Sequence, residues 1–352
     1  MQFGACRLLA LALVVACGRD PGGESRVARL VEQAAGEARV PADLLLAVAF
    51  AESRLSLQSP FRRKGWIQLL RGTPSRGLDR GAALIGASPA SVAGDPELGL
   101  RAAAALLGEA ARETRVRSGA PPLAWRAALE RFNGGWDPLA NQLYADQILA
   151  MLGRSFEAVD GDGRPVVFRA RGAQLAPRLS MSRPPDVAGA PFAGFVAASA
   201  LAHRQPGAEP RPIRRIVIHT TEGSFSGAVQ HVRRPDTEVS SHYIIRSWDG
   251  LTIQLVDERR VAFHCGCFND ETIGIEHEGY TVAGRAWYGE AMYLASARLV
   301  ADIATRHAIP LDRQHILGHG EAPDCSDHVD PGPDWDWNRY MRRVAEAAAA
   351  RR

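Results

Sequence analysis

Three residues that are far apart in the chain, His219, His319 and Asp330, lie in sequence settings that suit a single metal ion. Imidazole and carboxylate groups are both common zinc ligands. A zinc ion held by only three side chains keeps one coordination position open, and there it can activate water for hydrolysis. The sequence therefore predicts a zinc-dependent hydrolase.

Each of these residues adjoins a segment that would fix its position. His219 directly follows Arg-Ile-Val-Ile, a β-branched run typical of a buried strand. Glycines flank His319 and let the backbone approach a ligand closely, and Asp330 precedes Pro-Gly-Pro, which favours a rigid turn. The plain alternative is three ordinary polar residues at loop edges. All ten histidines follow residue 200, however, and this clustering favours the metal site.

Six ordered motifs span about 130 residues of the C-terminal half. They are Ile-Val-Ile-His-Thr-Thr-Glu-Gly-Ser-Phe (216–225), Val-Ser-Ser-His-Tyr-Ile-Ile-Arg (239–246), Ala-Phe-His-Cys-Gly (262–266), Ile-Gly-Ile-Glu-His-Glu-Gly-Tyr (273–280), His-Ile-Leu-Gly-His (315–319) and His-Val-Asp-Pro-Gly-Pro-Asp-Trp-Asp-Trp (328–337). With them, the segment from about 214 to 345 resembles the zinc-dependent N-acetylmuramoyl-L-alanine amidases, the branch related to peptidoglycan recognition proteins and phage amidase lysozymes.

The resemblance implies that the two histidines and the aspartate named above are the zinc ligands. It also implies that Glu276 is the general base and that His328 takes the place where relatives often carry a lysine or histidine that stabilises the oxyanion. Only histidine or arginine can supply that cation, because the single lysine, Lys64, lies in the N-terminal half. His264 is expected to line the substrate groove, with a structural hydrogen bond as its alternative role.

Strand alternation gives independent support for Glu276. Over residues 272–278, alternation places Ile273 and Ile275 on one face of the strand and Glu276 on the other. Glu276 can therefore face the metal while the isoleucines pack in the core. Glu278 shares that face and is the rival general base, and a solvated surface carboxylate is the plain alternative for Glu276.

A second, fainter group of motifs lies in the N-terminal half: Ala-Glu-Ser-Arg (51–54), Gly-Trp-Ile-Gln-Leu-Leu (65–70), Arg-Phe-Asn-Gly-Gly (131–135) and Tyr-Ala-Asp-Gln-Ile-Leu (144–149). This part resembles the catalytic domain of lytic transglycosylases, relatives of goose-type lysozyme. The resemblance implies that Glu52 is the catalytic acid and base and that Gln68 and Asn133 bind substrate. Phe132 stands where relatives usually carry tyrosine, so both a working enzyme and a binding-only remnant stay open.

The composition is that of a globular protein with two domains. The chain has 352 residues, of which 46% are hydrophobic and 23% charged, and its net charge of only +3 does not indicate nucleic-acid binding. We expect a mainly α-helical, lysozyme-like domain at 25–155 and a Pro/Gly/Ala-rich linker and lead-in at 156–213. Residues 214–345 should form the zinc amidase domain, with its own core, and we expect a monomer.

The C-terminal domain is predicted to be α/β, with a central mixed sheet flanked by helices. Its apolar and β-branched runs predict strands near residues 215, 242, 252 and 273, and helices near 225–233, 289–306 and 335–349.

The N-terminus and the cysteines indicate export. Residues 1–17 resemble a signal peptide that ends in a lipobox-like Val-Val-Ala-Cys, so Cys17 would carry a lipid anchor; an ordinary signal peptide is the alternative. Outside the cytoplasm we expect one disulfide between Cys325 and either Cys265 or Cys267. Zinc ligation by these sulfurs is disfavoured, because the set of two histidines and one aspartate is already complete.

The expected function is hydrolysis of the amide bond between N-acetylmuramic acid and the L-alanine of the peptidoglycan stem peptide. One alternative is glycan-strand cleavage at Glu52, with the C-terminal half as a peptidoglycan-binding module. Another is a non-catalytic recognition module, but such a module would usually lack the third metal ligand that Asp330 supplies. Peptidoglycan is the expected partner, and a membrane is involved only through the lipid anchor.

Overall fold

The computed structural model describes residues 25–57, 76–171, 194–207, 210–322 and 327–351. The expected signal peptide with Cys17, the candidate Gln68 and the candidate disulfide partner Cys325 lie outside the described residues. Within the described ranges, no helix combines the length and the apolar character needed to cross a bilayer.

Helices dominate the N-terminal half. They are α1 (Arg26–Ala38), α2 (Ala42–Ser53), α3 (Arg76–Leu84), α4 (Pro89–Gly94), α5 (Pro96–Glu113), α6 (Arg126–Asn133) and α7 (Pro138–Leu152). Asp95 and Asp137 cap α5 and α7 with their side chains, and each is followed by a proline that suits the first helical position. Apolar residues of α1, α2, α5 and α7 form one core, so the predicted helical domain is present.

Residues that the sequence assigns to the linker extend this helical domain. Strands β1 (Phe156–Val159) and β2 (Pro165–Phe168) form an antiparallel hairpin. The ring of Phe168 stacks on Phe156 with a centroid distance of 4.2 Å and meets Phe50 of α2 edge-on at 5.4 Å. Expecting a linker from residue 156 was therefore wrong for this hairpin, because its aromatic side chains complete the helical core.

The C-terminal half is an α/β domain. Its elements are β3 (Gly194–Phe195), β4 (His203–Arg204), β5 (Arg215–Thr220), α8 (Phe225–Arg233), β6 (Tyr243–Ile245), β7 (Thr252–Gln254), β8 (Val261–Ala262), β9 (Thr272–His277), α9 (Gly284–Trp287), α10 (Glu290–His307), β10 (Ile316–Gly318) and α11 (Trp337–Ala349). The main sheet has the order β10-β5-β9-β6-β7-β3. Only β6 and β7 pair antiparallel, which makes this the mixed sheet that the sequence predicts.

Helices cover both faces of this sheet. The isoleucines of β5 and β9 pack with α10 and α11 on one face, and Ile244 and Ile253 pack with α8 on the other. His277 contacts Ser296 of α10 at 2.8 Å, on the isoleucine face, as strand alternation predicts. The sheet gains β10 and the short β3 as edge strands, beyond the four strands expected from the sequence.

The two domains each have a core and also pack against each other. Leu143 of α7 is fully buried in the apolar cluster that contains Phe225 and Val229 of α8, and Trp248 of the α/β domain packs against the helical core. Burial of apolar surface from both domains holds the two halves together. Apolar contacts therefore join two domains that each have a core.

A buried ion pair also crosses the interface. The Arg54 guanidinium lies 3.6 Å from the Glu278 carboxylate, and the two side chains are 5% and 0% exposed. Arg54 also donates to the Phe50 carbonyl at 2.8 Å and lies over the Trp287 ring at 4.0 Å. Such a pair is costly to break, because removal of one partner leaves the other charge buried without compensation.

We expect Arg54→Ala to lower the free energy of unfolding by about 3–5 kcal/mol, because Glu278 then stays buried without a counter-charge. Urea unfolding measures the loss. The control is Arg101→Ala. Arg101 and its ion-pair partner Glu37 are 36% and 42% exposed, so this substitution should cost less than about 1 kcal/mol after solvent screening. Equal losses in the two variants would contradict a clamping role for Arg54.

Candidate metal centre

Parallel strands bring the two distant histidines together. His219 lies at the C-terminal end of β5, and His319 directly follows β10, whose Gly318 pairs with Ile218. Because the carboxyl ends of parallel strands meet at one edge of a sheet, the two rings approach to a centroid distance of 4.5 Å. The convergence that the sequence predicts is thus produced by the register of β10 and β5.

Asp330 completes the group. Its Oδ2 lies 3.2 Å from Nδ1 of His219, and its Oδ1 lies 3.1 Å from Nδ1 of His319. The backbone N–H of Thr220 also donates to Oδ2 at 3.2 Å. All three side chains are buried, and one ligand atom from each lies within 4.8 Å of the others.

The chemistry of this donor set fits zinc. Burial lowers the pKa of His219, which keeps the imidazole neutral and its lone pair available, although Asp330 favours the charged ring. Burial alone would raise the pKa of Asp330, but hydrogen bonds from both histidines hold it below its usual range. Two imidazole nitrogens and one carboxylate oxygen are a normal three-ligand zinc set that leaves a position open.

The loop that carries Asp330 approaches β10 very closely. A Cβ atom added to Gly318 would lie 2.7 Å from Cδ of Pro331, so a larger residue there would displace the loop. The Gly320 N–H donates to the Asp330 carbonyl at 3.0 Å, and the Tyr288 hydroxyl donates to the Pro331 carbonyl at 2.8 Å. These contacts fix the carboxylate at the histidines.

Glu276 lies beside this group. In the parallel register of β5 and β9 it is directly opposite His219, and both residues line the same cavity. Burial raises the pKa of Glu276 to about 8, with further contributions from the Asp330 and Glu222 carboxylates. Within the described residues its buried Oε2 has no hydrogen-bond partner. A carboxylate in this state suits proton transfer at neutral pH.

The rival carboxylate, Glu278, is committed to a structural role. It accepts hydrogen bonds from the backbone N–H groups of Phe225 and Ser247, both at 2.9 Å, and pairs with Arg54. It is fully buried and does not line the cavity. These contacts leave Glu276 as the carboxylate available to a substrate.

His328 and His319 stack at the cavity wall with a ring distance of 4.3 Å. Nδ1 of His328 lies 3.5 Å from Oδ1 of Asp330, and its side chain is 63% exposed. His328 therefore reaches the metal group from the solvent side. An exposed imidazole in this position can donate a hydrogen bond to a bound substrate.

His264 combines both roles left open by the sequence. It lines the cavity, and its Nδ1 lies 3.0 Å from Nε2 of His219. If Nδ1 of His219 binds a cation, the ring proton of His219 is on Nε2 and is donated to Nδ1 of His264. Nε2 of His264 in turn lies 3.2 Å from Oγ1 of Thr272. Such an outer hydrogen bond orients a metal-binding histidine.

Two residues that support His264 were missed by sequence reasoning. A Cβ atom on Gly274 would lie 2.6 Å from the His264 ring, so only glycine leaves room for it. The Asn269 side chain accepts from the N–H groups of His264 and Cys265, at 3.0 Å and 2.7 Å, and so fixes the loop. For Gly274 the available signal was a glycine within an apolar strand. No sequence signal marks Asn269.

The cysteines are not among the metal-binding candidates of the described chain. Cys267 is disulfide-bonded and Cys265 is free. Of the two pairings expected from the sequence, this agrees with the one that uses Cys267. Burial raises the pKa of the Cys265 thiol to about 11, so it stays protonated. In the part of the chain that the structure describes, the metal-binding group contains no sulfur.

The helical domain contributes to the same cavity. Glu52, Asn133 and Tyr144 line it together with the metal-binding group. Burial raises the pKa of Glu52 to about 7. The Tyr144 hydroxyl and the Arg54 guanidinium act in the opposite direction, because they favour the charged carboxylate. Asn133 donates to the Asn141 side chain at 2.7 Å. The candidates of both halves thus face one space.

Comparisons with known proteins agree with this geometry. A family model described as N-acetylmuramoyl-L-alanine amidase matches residues 209–333. N-acetylmuramoyl-L-alanine amidase A of Achromobacter lyticus is 34% identical over 146 residues, which is 37% of this chain and 81% of that protein. The 1,6-anhydro-N-acetylmuramyl-L-alanine amidase AmpD of Salmonella typhimurium is 32% identical over 130 residues, 34% of this chain and 63% of that protein.

Among solved structures, a substrate complex of the N-acetylmuramyl-L-alanine amidase AmiD from E. coli is 28% identical. The match covers 39% of this chain and 59% of that one, with a TM-score of 0.32. The family-model match lies in the C-terminal half.

We expect His264→Ala to weaken zinc binding by about 10–100-fold, because His219 loses the hydrogen bond that orients its ring. Competition with a chromophoric chelator measures the affinity. His231→Ala is the matched control, since His231 lines the cavity without contacting the metal-binding group, and its zinc affinity should be unchanged. An unaltered affinity in the His264 variant would exclude an orienting role.

Proposed function

The chain belongs to the N-acetylmuramoyl-L-alanine amidase family, and we propose that it is a zinc hydrolase that cleaves the amide bond between N-acetylmuramic acid and the L-alanine of peptidoglycan. The observation that carries this proposal is the buried group of two histidines and one aspartate in a large cavity, beside Glu276, whose Oε2 has no hydrogen-bond partner within the described residues. The family match supports the substrate, and the donor set supports the metal.

In this proposal His219, His319 and Asp330 hold the zinc ion. When bound there, zinc supplies a Lewis acid for the amide carbonyl, activates water, and favours the ionised form of the neighbouring Glu276. The three side chains are buried and lie within reach of one another, so their geometry is set before substrate arrives. Such preorganisation removes a reorganisation cost from the reaction.

Glu276 moves the proton. Its carboxylate takes a proton from the attacking water and then passes it to the nitrogen of the departing L-alanine amine. Burial supports this second step, since a low-dielectric setting favours the protonated carboxyl and lets it hold a proton between the two transfers. The unpartnered Oε2 supports the first, because no protein donor competes for it within the described residues.

His328 stabilises the oxyanion in this proposal. Its exposed ring stacks on His319 at the cavity wall, so it can donate a hydrogen bond to the carbonyl oxygen as negative charge develops.

Glu276→Gln should keep zinc bound and reduce amide cleavage by about 10²–10⁴-fold, the usual contribution of a general acid–base group. Mass spectrometry of digested sacculi counts new L-alanine amino termini, and metal analysis of the purified protein checks zinc content. The control is Glu238→Gln, an exposed carboxylate that lines the same cavity and should leave turnover unchanged. Near-normal turnover in the zinc-loaded Glu276 variant would refute its assignment.

A second candidate activity is glycan-strand cleavage at Glu52. It is supported by the raised pKa of about 7, by the position near the end of α2, and by the shared cavity. A transglycosylase needs only this one carboxylate, because a hydroxyl of the sugar itself replaces water. Phe132 stands in the place where relatives usually have tyrosine. A helical domain that binds glycan without cleaving it is therefore the alternative to this activity.

Glycan cleavage, if Glu52 performs it, should be greatest below pH 7 and fall as the pH rises through about 7, because the general acid must be protonated. Anhydro-muramic ends, counted by mass spectrometry, measure it. These ends should persist with a chelator, while the new L-alanine termini disappear and return when zinc is restored. If no anhydro ends form at any pH, Glu52 does not cleave glycan.

The cell-wall substrate agrees with the export signal expected at residues 1–17. We propose that the protein acts in the periplasm or elsewhere in the cell envelope as a monomer. A lipid anchor at Cys17 stays a sequence prediction.

A further inference from the structure

One cavity of about 1570 Å³ is lined by residues of both domains. The α/β domain contributes the metal-binding group and Glu276, and the helical domain contributes Glu52, Leu78, Phe132, Asn133, Trp136 and Tyr144. Pockets for small molecules usually measure roughly 300–1,000 Å³. This cavity therefore has room for a ligand that extends well beyond one scissile bond.

The helical wall has the chemistry of a saccharide-binding surface. Trp136 is 49% exposed and, with Phe132, presents aromatic surface that can cover the apolar faces of sugar rings. Asn133 adds an amide that can bond to hydroxyl groups. Among the described residues, Glu52 is the single charged side chain on this wall, so nothing there would attract the carboxylates of a stem peptide.

Contacts across the domain interface fix the position of Trp136. The neighbouring Asp137 is buried and pairs with Arg233 of α8 at 2.6 Å. Gly135 lies so close to Gln230 of α8 that an added Cβ would come within 2.0 Å of its Oε1. Because Gln230 itself lines the cavity, the backbone that carries Trp136 is held at the point where the two walls meet.

We propose that the helical domain is the glycan-binding wall of the amidase cavity. The sugar strand next to the reacting muramic acid lies against Trp136 and Phe132, while the lactyl amide of that muramic acid reaches Glu276 and the metal centre. This inference rests on the proposed amidase function and deepens it, because it makes polymeric peptidoglycan, and not a free muramyl peptide, the preferred substrate.

The test compares Trp136→Ala with the unaltered full-length, zinc-loaded protein on two substrates. One is a monomeric muramyl peptide, and the other is a strand of several disaccharides that carries the same stem. We expect kcat/KM for amide cleavage to fall about tenfold on the strand and to stay unchanged on the monomer, since only the strand reaches the indole. Trp136→Phe should keep most of the activity on the strand.

Leu123→Ala is the matched control. Leu123 is 48% exposed in the helical domain and does not line the cavity, so its loss should affect neither substrate. Equal losses on both substrates, or no loss on either, would overturn the proposal. A loss that follows the length of the stem peptide instead of the sugar strand would assign the wall to peptide and overturn it as well.

A binding measurement separates this proposal from the amidase assignment. Calorimetry with peptide-free glycan strands should show binding to the unaltered protein and about tenfold weaker binding to Trp136→Ala, whatever the catalytic outcome. Failure of the unaltered protein to release L-alanine termini from either substrate would reject the amidase function alone. Equal glycan affinity of the two proteins would reject the glycan wall alone.

Discussion

The bridging position of Asp330 between His219 and His319 is the feature on which the rest of the site depends. It places two imidazole nitrogens and one carboxylate oxygen within reach of a single cation, in a buried setting where an uncompensated carboxylate would be costly. Parallel pairing of β10, β5 and β9 makes the bridge possible, because it ends three strands at one edge of the sheet. Glu276 reaches the same edge through the same pairing.

The interface between the domains is tied to both candidate sites. Arg54 lies two residues after Glu52, and its partner Glu278 lies two residues after Glu276. The buried ion pair therefore anchors the two segments that carry the candidate carboxylates, and the packing of α7 on α8 closes the cavity between them. An arrangement of this kind lets one polymer meet both carboxylates without a change in how the domains pack.

Several features escaped sequence reasoning because they depend on contacts between distant segments. The Pro/Gly-rich composition after residue 155 indicates a linker, yet Phe156 and Phe168 pack on the helical core and turn its first part into a hairpin. Strand alternation put Glu276 and Glu278 on one face and could not separate them. What separates them is the burial of Glu278 against Arg54, which no local pattern encodes.

The sequence by itself determined the fold class of the C-terminal half and most of its strands and helices, and it named the three residues that the structure brings together as a candidate metal group. These follow from apolar periodicity and from motifs whose residue types are chemically required at a zinc site. Only the tertiary structure decided that His264 supports His219 and that the helical and α/β domains line one cavity. The physical reason is that hydrogen bonds and packing between segments far apart in the chain depend on three-dimensional register, whereas periodicity and motif chemistry are local.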